Sequence, residues 1–198
     1  MRFATSFGEW TQTMQINIKL DTRSVKMAIR NAKKYQSRLQ TACEKYVEEL
    51  ANLGIRVAKM NEGEYAGRIL YDKKFEPKVH GCTCIMIAEG AEILRQWDTN
   101  DGVQSVTVNA LLMAEFGSGW MADNDMAKEW GANAGQGTFP GQEHAFDRNG
   151  WYWKDTTGKH HSYGEEPTYP MYNAYMEMYR QMNAVAQKVF SEVLKHGK

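Results

Sequence analysis

Between Asp21 and Met60, apolar positions recur at alternating steps of three and four residues, the spacing of one face of an α-helix. Only Gln36 interrupts this stripe, and the charged side chains fall mostly off it. At 1.5 Å per residue the helix would be about 55–60 Å long, roughly twice the width of a small domain. We therefore predict one very long helix that projects from the body or is covered by a neighbouring subunit. The stripe comprises Val25, Ile29, Ala32, Leu39, Cys43, Tyr46, Leu50, Leu53, Val57 and Met60.

Shorter patterns surround this helix. Strict alternation over Met14–Asp21 predicts a half-buried strand, preceded by a flexible arm over residues 1–13. Because glycine and proline interrupt Met60–Gly81, that segment is predicted to be a loop. Residues 82–98 are predicted to form one strand, apolar on both faces and therefore covered on both. A turn over Thr99–Gly102 leads to a partner strand, which completes a meander with the first strand.

The second half of the chain predicts a different set of elements. Residues 111–120 are predicted to form a short helical turn or strand, followed by a Gly-rich loop insertion over residues 118–150. An aromatic β-hairpin follows, with a type I turn between Asp155 and Gly158. Pro170 suits the first turn of a C-terminal helix, whose apolar stripe runs from Tyr172 to Leu194.

The order of these elements predicts an α+β fold in a single domain over residues 14–198. A small antiparallel sheet is packed by the very long N-terminal helix and the C-terminal helix. The Gly-rich loop insertion and the aromatic hairpin complete this expected architecture.

Charge and composition narrow the function. The 198 residues carry 24 basic and 24 acidic side chains, which argues against a protein whose main task is gripping nucleic acid phosphates. A local basic patch stays compatible with that balance. Three cysteines without framework spacing indicate structural thiols in a reducing compartment. Because no apolar run approaches the ~20 residues of a membrane span, we expect a soluble protein without membrane contact.

Candidate chemistry is weak throughout. The adjacent His160 and His161 would point to opposite faces of a strand, and no histidine or cysteine spacing matches a known metal site. Ser118 lies between two glycines, as in a tight turn. No spacing sets a pair of carboxylates at a defined separation, so we predict no catalytic, cofactor-binding or metal-binding residue. The carboxylates considered were Glu115, Glu143, Glu165 and Glu166.

The aromatic side chains of the hairpin could stack on nucleic acid bases, but their surroundings are not basic. A packed hairpin is therefore the preferred interpretation. The side chains concerned are Trp151, Tyr152, Trp153 and Tyr163.

Two segments resemble a known family. "LLMAEFGSG" and "GWYWKDTTGKHHSYGEEPTYPMYNAYMEM" are similar, in order and spacing, to elements of the HK97-type tail-component family of long-tailed bacteriophages. The resemblance covers roughly residues 14–195. The residues that carry it are Glu115, Phe116, Gly117, Gly119, Trp151, Trp153, Pro167, Pro170 and Met171.

This resemblance implies a structural virion protein without catalysis, acting as a tail completion or neck component at the head–tail junction. It implies a hexameric or dodecameric ring that contacts the head–tail connector and the tail-tube or terminator proteins. DNA would pass through the lumen without sequence specificity. The expected location is the virion, with assembly in the host bacterial cytoplasm. In this picture the long helix faces neighbouring subunits through Leu39, Tyr46, Leu50, Leu53 and Val57.

Two alternatives stay open. The first is a small prophage-encoded, metal-dependent nuclease or hydrolase that uses His144, His160 or His161 with a nearby carboxylate. The second is a binding module for a host protein.

Overall fold

In the computed structural model, the described residues are 21–78, 81–99, 102–123, 125, 147–155 and 158–195. The predicted long helix is confirmed as α1, which runs without interruption over Thr22–Met60 for 39 residues. It begins at Asp21, whose carboxylate accepts hydrogen bonds from the backbone N–H groups of Arg23 and Ser24, both at 2.9 Å. The predicted arm over residues 1–13, and the predicted strand up to residue 20, lie outside the described residues.

A second long helix lies antiparallel against α1. It extends over Pro170–Lys195, as predicted, and is called α3 below. Antiparallel contacts follow the pair along its length: Lys45 Nζ to Glu192 Oε2 at 2.9 Å, and Asn173 Nδ2 to Asn61 Oδ1 at 3.1 Å. The buried positions of α1 are all small, so the two backbones approach closely. These positions are Ala42, Ala51, Gly54 and Ala58.

The first strand pair corrects a prediction. Strands β1 (Ile69–Lys78) and β2 (Gly81–Gly90) pair antiparallel along their whole length. The loop predicted over Met60–Gly81 is therefore wrong in its second half, and only the segment around the 3₁₀ turn Gly63–Tyr65 is irregular. The sequence of β1 lacks clean alternation and contains a proline near its end. Pairing with β2 therefore stabilises a strand that the local pattern does not indicate.

Strand β3 (Glu92–Thr99) pairs with β4 (Gly102–Asn109), which confirms the predicted partner strand, and residues 100 and 101 of the predicted turn lie outside the described residues. The single strand predicted over residues 82–98 is wrong, because Ala91 separates β2 from β3. Its backbone instead bonds to Arg68 O and Ala110 N, at 2.8 and 2.9 Å. The prediction that both faces of this segment are covered is also wrong, because Ile85 of β2 is 41% exposed. In the described residues, each strand pairs with one partner only.

Helix α2 (Ala110–Phe116) is the short helical turn predicted within residues 111–120, and it leads into β5 (Ser118–Gly119), which pairs with β8 (Gly164–Glu165). The loop insertion predicted over residues 118–150 is therefore wrong at its first two residues, because pairing with a segment distant in sequence makes them a strand. Strands β6 (Trp151–Asp155) and β7 (Gly158–Ser162) form the predicted hairpin. Most of the loop insertion, residues 124 and 126–146, lies outside the described residues.

The buried core comprises three residues of α2, Ala110, Met113 and Ala114, packed with Tyr65 and Ile69. The architecture is the predicted α+β fold: one long N-terminal helix, small antiparallel sheets and a C-terminal helix.

Candidate functional site

Glu115, in the last turn of α2, caps the N-terminus of α3. Its carboxylate accepts hydrogen bonds from the backbone N–H of Met171 at 2.7 Å and of Tyr172 at 2.9 Å. These N–H groups belong to the first turn of a helix, where donors lack intrahelical partners and where negative charge is favoured. Pro170, the first helical residue, has no N–H to satisfy. The side chain of Glu115 thus substitutes for a local cap, across 56 positions of sequence.

The Glu115 carboxylate is almost completely buried, with 2% of the residue exposed. Burial raises the pKa of Glu115 above its ordinary value, because a charged carboxylate loses its hydration. The hydrogen bonds from Met171 and Tyr172 act in the opposite direction and offset part of this rise.

The residues after Glu115 complete the contact. Phe116 is buried. Gly117 has φ +68°, and a Cβ added there would lie 2.3 Å from the backbone oxygen of Glu165, a distance that no side chain tolerates. Ser118 Oγ accepts a hydrogen bond from Glu165 N at 3.1 Å, and Gly119 has φ +64°. Ser118 therefore belongs to the β5–β8 ladder and not to the tight turn that its glycine neighbours suggest.

Most of the family-motif residues meet at this place, which we call the α2–α3 junction. The junction comprises Glu115, Phe116, Gly117, Gly119, Pro167, Pro170 and Met171. The backbones of Trp151 and Trp153 lie in β6, opposite Ser162 and His160, and their side chains lie outside the described part of the molecule. Parts of the two motifs thus form one structural unit that fixes the start of α3, although Glu115 and Met171 are 56 positions apart in sequence.

A polar cluster beside the junction was not predicted from the sequence. Arg95 Nη1 and Tyr65 OH both donate to the carboxylate of Glu165, and Arg95 Nη2 donates to Tyr65 OH at 2.9 Å. The side chains of Arg95 and Glu165 are each 27% exposed. The cluster links the 3₁₀ turn, β3 and β8, which are far apart in sequence, so no local motif could have indicated it.

The protonation equilibria of this cluster favour a fixed ion pair. Burial opposes ionisation of Glu165, but the hydrogen bonds from Arg95 and Tyr65 outweigh it and lower the pKa of the carboxyl. Burial and the neighbouring Glu165 carboxylate raise the pKa of Tyr65 well above its ordinary value. Both oxygens of Glu165 already accept hydrogen bonds within the cluster. Its chemistry therefore suits cross-linking of elements more than proton transfer.

Tyr71 lies in the same interior with an unsatisfied hydroxyl. Its oxygen is buried and has no hydrogen-bond partner among the described residues. Burial raises the pKa of Tyr71, and the charges of Glu62 and Glu115 raise it further. Glu62 is itself buried and accepts a hydrogen bond from Gly67 N at 2.9 Å.

The two histidines among the described residues, His160 and His161, do not converge on one point. His160 and His161 lie on β7 opposite Trp153 and Tyr152, and successive residues of a strand face opposite sides. His161 stacks on Tyr152 with ring centroids 4.1 Å apart, and its Nε2 lies 2.7 Å from Asn149 O. His144 lies outside the described residues. In the part of the chain that the structure describes, no three histidine, cysteine, aspartate or glutamate side chains form a group able to hold a metal ion.

Two helix faces carry large exposed apolar side chains. The first is the α1 extension, residues 22–40, which continues past the end of α3. Its exposed apolar residues are Val25, Met27, Ile29, Tyr35 and Leu39. The second is a stripe on α3, called the Tyr–Met stripe, formed by Tyr172, Tyr175, Met176, Tyr179 and Met182.

Of the predicted interface residues of α1, one lies on the α1 extension and the others lie along the rest of the helix. Leu39 is exposed on the α1 extension, whereas Leu50, Leu53 and Val57 are half-buried along the body. Tyr46 contacts Phe190 of α3, with ring centroids 6.1 Å apart. Contact of these residues with a neighbouring subunit stays a prediction.

Comparison of the chain with protein-family models, with curated proteins and with solved structures finds no match. Among the described helices, none is both long enough and apolar enough to span a membrane.

Proposed function

We propose that this chain is a structural protein of the head–tail junction of a long-tailed bacteriophage, a tail completion or neck component that assembles into a ring. The resemblance of the two sequence motifs supports the phage role. The observation that carries the assembly role is the pair of exposed apolar helix faces, the α1 extension and the Tyr–Met stripe.

These two faces cannot cover each other within one molecule. The stripe lies on the part of α3 that runs beside the C-terminal end of α1, as the Asn61–Asn173 contact indicates. The α1 extension lies at the opposite end of that uninterrupted helix, at least about 20 Å away at 1.5 Å per residue. Contact between the extension of one subunit and the stripe of the next would bury both faces. Such head-to-tail contacts produce rings when the rotation closes.

The proposal includes contacts with the connector on one side and with tail-tube or terminator proteins on the other, and a location in the virion. A ring in this position encloses the path of the genome, so its lumen would contain DNA. Neither the described residues of the junction nor those of the polar cluster are needed for a reaction in this role, which requires only defined shape and rigid subunits.

Sedimentation velocity tests the head-to-tail contact. The extension variant carries Ile29→Ser and Tyr35→Ser, and the stripe variant carries Tyr175→Ser and Tyr179→Ser. The control carries Leu94→Ser and Val103→Ser, two exposed apolar residues outside both faces. We expect the wild type and the control to form oligomers and each variant alone to stay monomeric. Mixed in equal amounts, the two variants should form heterodimers and nothing larger, because each retains one intact face.

A wild-type protein that stays monomeric at high concentration, with and without tail-tube protein, would contradict the assembly role. The phage role has its own test. Deleting the gene from a phage that encodes it should leave DNA-filled heads and separate tails visible by electron microscopy. Infectious, fully joined virions from the deletion strain would overturn it.

A further inference from the structure

The α1 extension concentrates positive charge that the overall balance conceals. Residues 22–40 contain six lysine or arginine side chains and no aspartate or glutamate, so the rest of the chain carries 18 basic against 24 acidic residues. A neutral protein therefore presents one strongly cationic segment. The six cations are Arg23, Lys26, Arg30, Lys33, Lys34 and Arg38.

The charges and most of the apolar side chains of this segment occupy opposite sides of the helix. At about 100° per residue, the six cations fall within an arc of about 140°. Met27 also lies within that arc, whereas the other apolar residues fall within an arc of about 120° centred almost opposite, at Val25, Ala28, Ile29, Ala32, Tyr35 and Leu39. We call the first arc the cationic face. Five of its members, Arg23 to Lys34, are exposed.

The cationic face is shaped like a site for a linear polyanion. From Arg23 to Lys34 the charges extend over about 17 Å along the helix, at 1.5 Å per residue. Duplex DNA carries one negative charge per about 1.7 Å of its axis, so several phosphates lie within reach of this row at once. The face consists of point charges and guanidinium groups, which bind phosphate regardless of the base sequence.

We propose that the cationic face of α1 binds the phosphate backbone of double-stranded DNA without sequence preference. The inference rests on the proposed assembly in one respect: a neighbouring subunit covers the apolar arc and leaves the cations turned away from the contact. In the proposed ring, the cations are then accessible to the DNA that passes through it.

The relative position of the two arcs argues against a lipid surface. An amphipathic helix on a membrane buries its apolar arc in the acyl chains, with cations near the boundary of that arc to reach the headgroups. Here the centre of the cationic face points almost directly away from the apolar arc. Burying the apolar arc in lipid would therefore direct most of the six cations into water.

Fluorescence anisotropy with a labelled 20-base-pair duplex of arbitrary sequence tests the proposal. The test variant carries Lys26→Gln, Arg30→Gln and Lys34→Gln, and glutamine keeps helix propensity close to that of the original residues. The matched control removes three exposed charges elsewhere, through Lys59→Gln, Lys78→Gln and Lys188→Gln. Titrations at several salt concentrations give both the affinity and its salt dependence.

We expect the test variant to lose affinity on the order of 100-fold at physiological salt. The slope of log K against log salt should become shallower by about 3, roughly one unit per phosphate contact, while the control keeps both values. Equal affinity and slope for wild type and test variant would overturn the proposal. So would wild-type binding that changes with duplex sequence, or loss in the control as large as in the test variant.

Two further measurements separate this inference from the assembly. Sedimentation of the test variant should give the wild-type oligomer, since the substituted residues lie off the apolar arc. If the wild type is monomeric yet binds the duplex through these residues, the assembly fails and the DNA site stands. Co-sedimentation with vesicles of 30% phosphatidylserine should show no binding that depends on the three cations. Vesicle binding lost in the test variant, with duplex binding unchanged, would replace DNA by an anionic lipid.

Discussion

Glu115 and Met171 are joined by a 2.7 Å hydrogen bond from the backbone N–H of the helix start to a carboxylate on another helix. A second oxygen of the same carboxylate accepts from Tyr172. A helix N-terminus usually obtains its cap from the residue just before it. Here that residue is Tyr169, at φ +54°, and the cap comes from the "EFGSG" segment instead. The two segments that carry the family resemblance therefore depend on each other structurally.

Replacing Glu115 by glutamine should lower the free energy of unfolding by about 2 kcal/mol, because an amide offers one acceptor where the carboxylate offers two. Urea unfolding followed by circular dichroism measures this change. Glu89→Gln, at an exposed position of β2, is the matched control and should alter stability by less than about 0.5 kcal/mol. Equal stability of the two variants would show that the charge and the second acceptor oxygen of Glu115 contribute nothing to folding.

Gly117 and Gly67 form a pair with the same backbone requirement and different surroundings. Their φ values are +68° and +75°, but a Cβ would meet the backbone of Glu165 only at Gly117. Gly67→Ala should cost about 1–2 kcal/mol for the left-handed conformation alone. Gly117→Ala should cost at least about 2 kcal/mol more, since β8 would have to move away from β5. Equal losses of stability in urea would mean that the close approach at Gly117 relaxes without cost.

Loss of the hydroxyl should affect the stability of the fold differently at two interior tyrosines. Tyr65 OH bonds to Glu165 and Arg95, so Tyr65→Phe should destabilise the fold by about 2 kcal/mol. Tyr71 OH is buried without a partner, so Tyr71→Phe should leave stability unchanged or raise it by about 1 kcal/mol. Thermal and urea unfolding of both variants measure the difference. A destabilised Tyr71→Phe variant would indicate that this hydroxyl has a partner.

The pKa of Glu165 is lowered in the folded protein, which makes stability depend on pH in acid. Above its ordinary value of 4.5, Glu165 is ionised in both states and the ion pair with Arg95 contributes fully. As pH falls below this value, the unfolded state takes up the proton first, so the contribution is lost as pH passes through the lowered folded pKa. The stability difference between wild type and Glu165→Gln should therefore shrink as pH is lowered below 4.5. A constant difference would contradict this linkage.

The helices and strands that were predicted correctly are those that local sequence patterns determine. The period of α1, the proline at the start of α3 and the two aromatic runs that form β6 and β7 all specify their elements within a few residues. Prediction from the sequence failed at β1, whose strand depends on pairing with β2. It also failed to separate β2 from β3, because the bonds that hold Ala91 come from Arg68 and Ala110.

The polar cluster was beyond local reasoning for the same reason. Tyr65, Arg95 and Glu165 are separated by 30, 70 and 100 positions in their three pairings, and no residue near any of them marks it as a partner. The α2–α3 junction differs from the polar cluster, because the family resemblance already indicated its residues. What they do there, capping by Glu115 and close approach at Gly117, follows only from the contacts.

Because α1 is uninterrupted, the number of residues along it determines the direction in which each face of the α1 extension points. Inserting one residue near position 41 would rotate the apolar arc by about 100° relative to the body, while inserting seven would change its phase by only about 20°. The number of residues between the packed half of α1 and the α1 extension is therefore constrained by geometry, whatever their composition. Insertions of seven residues should nearly preserve the direction of both faces, whereas single insertions should turn both faces by about 100° from their present directions.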